Sequence, residues 1–157
     1  MYAQTPPTDD KLNQLFTEFD QLARDYGSLP SGEMALLYSG HVLFKKKDYK
    51  GALERYEKMK SASLIRKGLE PLVLYHTGDT LFRLADYDKA LAVFGQLTKE
   101  TNSPYRREAY AFIARIYELT NRNKEAVQAY RQYLKIFPEA PDAAFVKAKI
   151  ADLATQG

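Results

Sequence analysis

The stretch LFRLADYDKALAVF, residues 81–94, decides the fold. Gly78 stands just before it, Asp86-Tyr87 interrupts it, and Ala90 and Phe94 follow at helical spacing. The same order of small residue, Asp-Tyr, Ala and aromatic appears upstream as Gly40, Asp48-Tyr49, Ala52 and Tyr56. It returns more loosely downstream as Ala114, Ala126 and Tyr130. Ala52, Ala90 and Ala126 are 38 and 36 residues apart. A near-constant period built from a small residue, a tight turn and an aromatic is the signature of a helix-turn-helix repeat array. Such a pattern defines the build of a protein and leaves its partner open.

Working outward, Leu12, Leu15, Phe16, Phe19, Leu22, Ala23 and Tyr26 fall on one face of a helix. Thr8 or Asp9 is predicted to cap it, Gly27 to stop it in a left-handed turn, and Pro30 to block its continuation. Ser31 then caps a second helix to about Lys46, and Asp48 a third from Tyr49 to about Lys60. SASLIRKGLEP, residues 61–71, is the least regular part, with Leu64 and Ile65 expected beneath it. A fourth helix is predicted from Glu70 to Leu84, with Pro71 in its first turn. Asp86 caps a fifth to about Glu100, and Ser103-Pro104 starts a sixth that ends near Leu119. TNRN at 120–123 turns into a seventh helix to about Phe137, and an eighth runs from Asp142 to about Ala154. No segment alternates with period two, so no strand is expected.

The 157 residues are 45% apolar and 27% charged, with twelve Tyr, eight Phe, no Trp and no Cys. Tyr suits half-buried positions, where the ring packs and the hydroxyl stays wet. Lack of Cys removes disulfides and thiolate chemistry. A net charge of +3, spread among acidic residues, argues against nucleic acid. Lys45-Lys46-Lys47 reads as a solvated helix end. No apolar run has the length of a membrane span. No nucleophile elbow, zinc-protease helix, phosphate loop or dinucleotide turn is present.

In this register the chain resembles the tetratricopeptide repeat family. That family pairs a small residue in each first helix with a small residue in the second, surrounded by bulky ones. Leu36, Gly40, Leu43, Ala52 and Tyr56 match the pattern in one repeat, and Leu74, Gly78, Leu81, Ala90 and Phe94 in the next. Tyr110, Ala114, Tyr117, Ala126, Tyr130 and Pro138 match a third. The small residues let helices approach and the others fill the space around them. FDQL at 19–22 aligns with FGQL at 94–97, so the first helix reads as the back half of an earlier repeat; Ala148 marks the last helix as a front half. The expected fold class is all-α, a right-handed α-solenoid of antiparallel helix pairs with about eight helices. Residues 1–7 are expected as a disordered tail and 8–157 as one repeat domain. Within it, 8–27 is a half repeat, 33–66, 71–104 and 107–140 are full repeats, and 141–155 is a terminal half. The register implies a piece of a longer protein, cut just upstream.

LPSGEMALLYSG, the DY-KAL second half and the closing FPEAPDAAFVKAKIADL are further similar to envelope repeat proteins of Gram-negative bacteria. These include the YfgM-like ancillary subunit of the Sec translocon, the Tol-Pal-associated coordinator and the lipoprotein of the barrel-assembly machine. This resemblance implies a periplasmic domain, anchored in the inner membrane upstream, with no direct membrane contact of its own; the alternative is a cytoplasmic self-association module.

The family resemblance also implies that first helices line a concave groove. Carried over residue by residue, it would expose Met34, Leu37, Tyr38, His41, Phe44 and Lys45 from one repeat. Leu72, Tyr75, His76, Asp79, Phe82 and Arg83 follow from the next, and Glu108, Ala111, Phe112, Arg115, Glu118 and Leu119 from the third. The Lys/Asn pattern that grips a chain-terminal carboxylate in chaperone-binding members is absent from these positions. The site expected to bind a protein or peptide partner is Tyr38, His41, Phe44, Tyr75, His76, Asp79, Phe82, Arg83, Phe112 and Arg115. An aromatic surface edged with charge suits an extended or helical peptide. No catalytic residue, cofactor or metal is expected, although His41, His76 and Asp79 are ligand-type groups within reach of one another. Protonation of the two histidines would make partner affinity change between about pH 5 and 7. The stripe Leu12, Phe16 and Phe19, deprived of a covering helix, predicts a homodimer through the N-terminal helix.

Overall fold

The computed structural model describes residues 7–155, and nearly all of the expected tail at 1–7 lies outside them. Among the described residues there are eight α-helices and no strand. The chain divides into two compact units, meeting in sequence at Leu84 and Ala85.

The first unit holds α1 (Asp9–Asp25), α2 (Pro30–Lys45), α3 (Tyr49–Lys58) and α4 (Glu70–Arg83), each packed on the next. Thr8 caps α1 by accepting from the Lys11 N–H, and Asp48 caps α3 by accepting from the Gly51 N–H at 3.0 Å. The expected left-handed stop at Gly27 is not formed, since Gly27 has no positive φ. Pro30 opens α2 instead of blocking a helix, and Ser31 lies inside it. Proline's fixed φ and missing N–H suit a first helical position. Gly32 is needed here because an added Cβ would meet the Tyr26 carbonyl at 2.0 Å.

Small residues set the spacing between helices. Gly40 on α2 lies so close to α3 that a Cβ would sit 2.8 Å from the Tyr56 ring and 3.1 Å from the Arg55 Cβ. Ala52 and Tyr56 are wholly buried with Leu37, Leu43, Met59, Ala62 and Val73 as the core of this unit. Leu37 is 1% exposed, so it does not line a groove as the register implied. Asp20, buried on α1, binds Arg24 and also Arg55 at 2.8 Å, which ties α1 to α3.

The irregular link runs through a 3-10 turn at Met59–Ser61 and a π turn at Ile65–Leu69, in which Gly68 adopts φ 98°. Its order comes from Glu33. This buried carboxylate accepts from the Ser63 N–H (2.6 Å), the Ser63 hydroxyl (2.7 Å) and the Leu64 N–H (2.9 Å). Charge-assisted bonds of this kind are about twice as strong as neutral ones. Ile65 packs against the core, and Leu64 is half-buried.

The first part of the N-terminal stripe is covered. Leu12 is 6% exposed, Phe16 packs on the core of the unit, and Phe19 stacks on Tyr38 with ring centroids 5.2 Å apart. The dimer expected from that stripe therefore lacks the bare surface it was built on; α2 covers it.

The second unit holds α5 (Tyr87–Leu97), α6 (Arg106–Leu119), α7 (Asn123–Ile136) and α8 (Ala143–Thr155), again packed in succession. Ala114 and Ala126 are fully buried among Val127, Tyr130, Tyr133, Val146 and Leu153. Helix α6 starts two residues beyond Pro104, after a turn in which the Ser103 hydroxyl accepts from the Tyr105 N–H at 3.2 Å. Asp86 precedes α5, and its carboxylate takes the Lys89 ammonium at 2.7 Å.

Three turns share one device. Lys47, Ala85 and Asn121 all have positive φ, between 56° and 63°, at the spacing of the repeat. At the first, the Asp48 N–H reaches back to the Leu43 carbonyl at 2.9 Å. At the third, the Arg122 N–H reaches the Tyr117 carbonyl at 2.8 Å. These bonds satisfy the last carbonyls of α2 and α6 and stop each helix.

Two glycines separate packing from helix propensity. Gly40→Val should lower folding stability by about 1–3 kcal/mol in urea denaturation, through overpacking against Tyr56. Gly95 lies in α5 where an added Cβ meets nothing within 4 Å. Gly95→Ala should raise stability by up to about 1 kcal/mol in the same assay.

Candidate functional site

Helices α2 and α4 carry the site of the first unit. His41, Phe44 and Lys45 follow at helical spacing on α2, and His76, Asp79 and Arg83 form a matching stripe on α4. Between them opens a cleft of about 530 Å³. Six residues of the expected site meet there: His41, Phe44, Tyr75, His76, Asp79 and Arg83. Lys45, from the wider groove reading, joins them. Lys47 and Tyr49 also line the cleft and belonged to neither expectation. The left-handed turn brings both to its edge, where the Phe44 and Tyr49 rings meet edge to face at 5.3 Å.

The two imidazoles touch, with centroids 4.1 Å apart and planes at 65°. Tyr56 of α3 lies behind them, stacked on His76 at 5.6 Å and tilted to His41 at 5.7 Å. Tyr75 adds an edge contact to His76 at 5.3 Å. His41 Nε2 and the Tyr56 hydroxyl are both buried without a hydrogen-bond partner. Among the described residues no group of His, Asp and Glu side chains is arranged to hold a metal ion, so the reach inferred for His41, His76 and Asp79 does not become a coordination geometry.

Burial pushes both histidines down. Lys45 adds to the effect at His41, and the neighbouring His41 adds to it at His76, which falls to about 4. Burial raises the Asp79 carboxyl, against the opposing pull of Arg83, whose Nε donates to Asp79 Oδ1 at 3.2 Å. Burial and Asp79 push the Tyr56 phenol upward. Burial thus favours the neutral form of His76 over the pH 5 to 7 window in which its protonation was expected to tune affinity.

The other expected residues lie elsewhere. Tyr38 is 44% exposed, stacked on Phe19 and edge-on to His41 at 6.2 Å. Phe82 is half-buried on α4. In the second unit, Phe112 and Arg115 line a smaller cleft of about 160 Å³ with Glu108 and Ala111. Phe112 stacks almost parallel on buried Phe94 at 4.6 Å, so much of its ring is spent on packing. Glu118, assigned to the groove by register, instead receives the Tyr130 hydroxyl at 2.9 Å and the Lys149 ammonium, which joins α6 to α7 and α8.

The succession of packed helix pairs, with small buried residues at their contacts, defines a helical-repeat protein. Residues 75–150 match the tetratricopeptide repeat family. Its fold is similar to the solved structure described as "MamA RS-1 ArsTM double mutant", with a TM-score of 0.67 and 16% identity over 94% of this chain and 87% of that one. A search of curated protein sequences gave no match. No described helix is long and apolar enough to cross a membrane.

The lowered imidazoles have a thermodynamic consequence. Below about pH 6.5 the unfolded chain takes up a proton that folded His76 refuses until about pH 4. Stability should fall as pH drops through that window. Asp79, whose folded carboxyl is raised, takes its proton earlier than the unfolded chain and opposes the fall at the acid end. Thermal midpoints measured from pH 7 to 4 should decline less steeply in His76→Gln than in the parent; parallel slopes would show that His76 does not carry the effect.

Proposed function

We propose that the chain is a non-enzymatic scaffold that holds a protein or peptide partner in the cleft between α2 and α4, within a bacterial envelope assembly or secretion apparatus. The observation that carries this reading is the meeting of Phe44, Tyr49, Tyr75, two neutral imidazoles and exposed cations around one concavity of ligand-binding size. Aromatic side chains give large contact area at low entropic cost, and the charges at the rim select among partners. The scaffold role accords with the tetratricopeptide repeat family, whose members typically bind proteins rather than catalyse reactions. The envelope setting rests on the likeness of FPEAPDAAFVKAKIADL and the DY-KAL segment to envelope repeat proteins.

A photo-crosslinking residue at Tyr75 should trap a defined partner in cells, and Tyr49→Ala should reduce the yield several-fold. The same probe at exposed Glu18 should not trap it. Equal trapping from both positions would remove the cleft from consideration, and cytosolic partners alone would remove the envelope setting.

Leu22, Tyr26 and Leu29, each close to half exposed, favour a second reading, self-association of this unit. Light scattering over a concentration series should then show a mass increase that Leu22→Glu abolishes; a constant monomer mass would exclude it.

A further inference from the structure

The lining of the α2–α4 cleft also specifies the chemistry of its occupant, on the reading that this cleft is the partner site. Lys45 and Lys47 are exposed at its rim, and neither is paired with a carboxylate among the described residues. Asp79 is the only acidic side chain in the lining, and Arg83 already donates to it. Asp48, next along the turn, is committed to the Gly51 N–H as the cap of α3. From α3, Tyr49 lines the cleft and Tyr56 lies against both histidines, and neither carries a carboxylate. Three cations thus oppose one engaged carboxylate around a wall of aromatic rings.

We propose that the cleft takes an acidic peptide segment, seating an aromatic or large aliphatic side chain against Phe44, Tyr49 and Tyr75 while flanking side-chain carboxylates meet Lys45 and Lys47. The two lysines stand on the last turn of α2 and the turn that follows, beside the ring wall, so one short segment reaches both. Lysine ammoniums at an exposed rim select an acidic partner and speed its arrival more than they add to final affinity. A peptide fits better than a nucleic acid strand: the neutral imidazoles and Asp79 add no positive charge for a continuous phosphate backbone, and the chain carries a net charge of only +3.

The test uses fluorescence anisotropy with a fluorescein-labelled, C-terminally amidated peptide bearing one Phe flanked by Glu, so that the peptide itself offers only side-chain carboxylates and the dye is common to every peptide compared. Companion peptides replace Glu by Lys, or Phe by Gly. The Glu-Phe peptide should bind, more weakly as salt rises, and both companions should bind at least about tenfold more weakly. The double variant Lys45→Glu/Lys47→Glu should lose at least about tenfold in affinity with unchanged helicity, because both side chains are exposed. Lys124→Glu/Arg131→Glu, in the second unit, should bind as the parent does. Equal binding of acidic and basic peptides, an unaffected double variant, or displacement of the peptide by single-stranded DNA at equal concentration would overturn the proposal. Crosslinking from Tyr75 without any binding of the acidic peptide would overturn it too, while leaving the partner site standing.

Discussion

The structure depends on how closely two helices can approach. Gly40 leaves no room for even a Cβ between α2 and the Tyr56 ring, and Ala52, Ala114 and Ala126 are sealed from solvent altogether. Interiors packed to crystal-like density transmit such a constraint outward. With the backbones held at that distance, Tyr56 lies flat against His76 of α4, and the side chains of α2 and α4 are brought face to face. The cleft is the space left over when close contact is satisfied on one side only.

That arrangement explains the electrical character of the site. The imidazoles of His41 and His76 lie over a buried phenol and beside each other, with little water to stabilise a charge. They behave as flat, weakly polar surfaces, and the charge is carried by Lys45, Lys47, Arg83 and Asp79 around them. In the proposed partner site, a neutral floor with a charged rim would divide the work of recognition. Shape and ring contact act in the interior, and long-range attraction acts at the edge.

Much of this was legible in the sequence, because packing residues must recur wherever helices meet. Ala52, Ala90, Ala126, Gly40 and Tyr56 announced the contacts by their period, and Asp48 announced a cap by its place before Tyr49. Other features had no local mark. Lys47, Ala85 and Asn121 take a left-handed conformation without glycine, so only the backbone shows it. Glu33 meets its donors some thirty residues away, and nothing near it foretells them. Leu37 was assigned to the groove by register, but the rotation of α2 turned it inward. The histidines line the cleft between α2 and α4, but their lowered proton affinity had no mark in the sequence, since burial depends on neighbours from three helices rather than on spacing along one.

Glu33 carries a consequence for how such chains can vary. A repeat protein normally keeps its links short, because each extra residue adds backbone donors that the link itself cannot satisfy. Here a single carboxylate supplies acceptors to the connection after α3 from outside it, and the connection remains ordered although it is longer than the others. Length variation between repeats is thereby uncoupled from their stacking. A lineage that holds an acidic residue at this place can insert or delete residues in the link while the helices on either side stay in step, so the spacing of repeats along the chain becomes free to drift where the geometry is not.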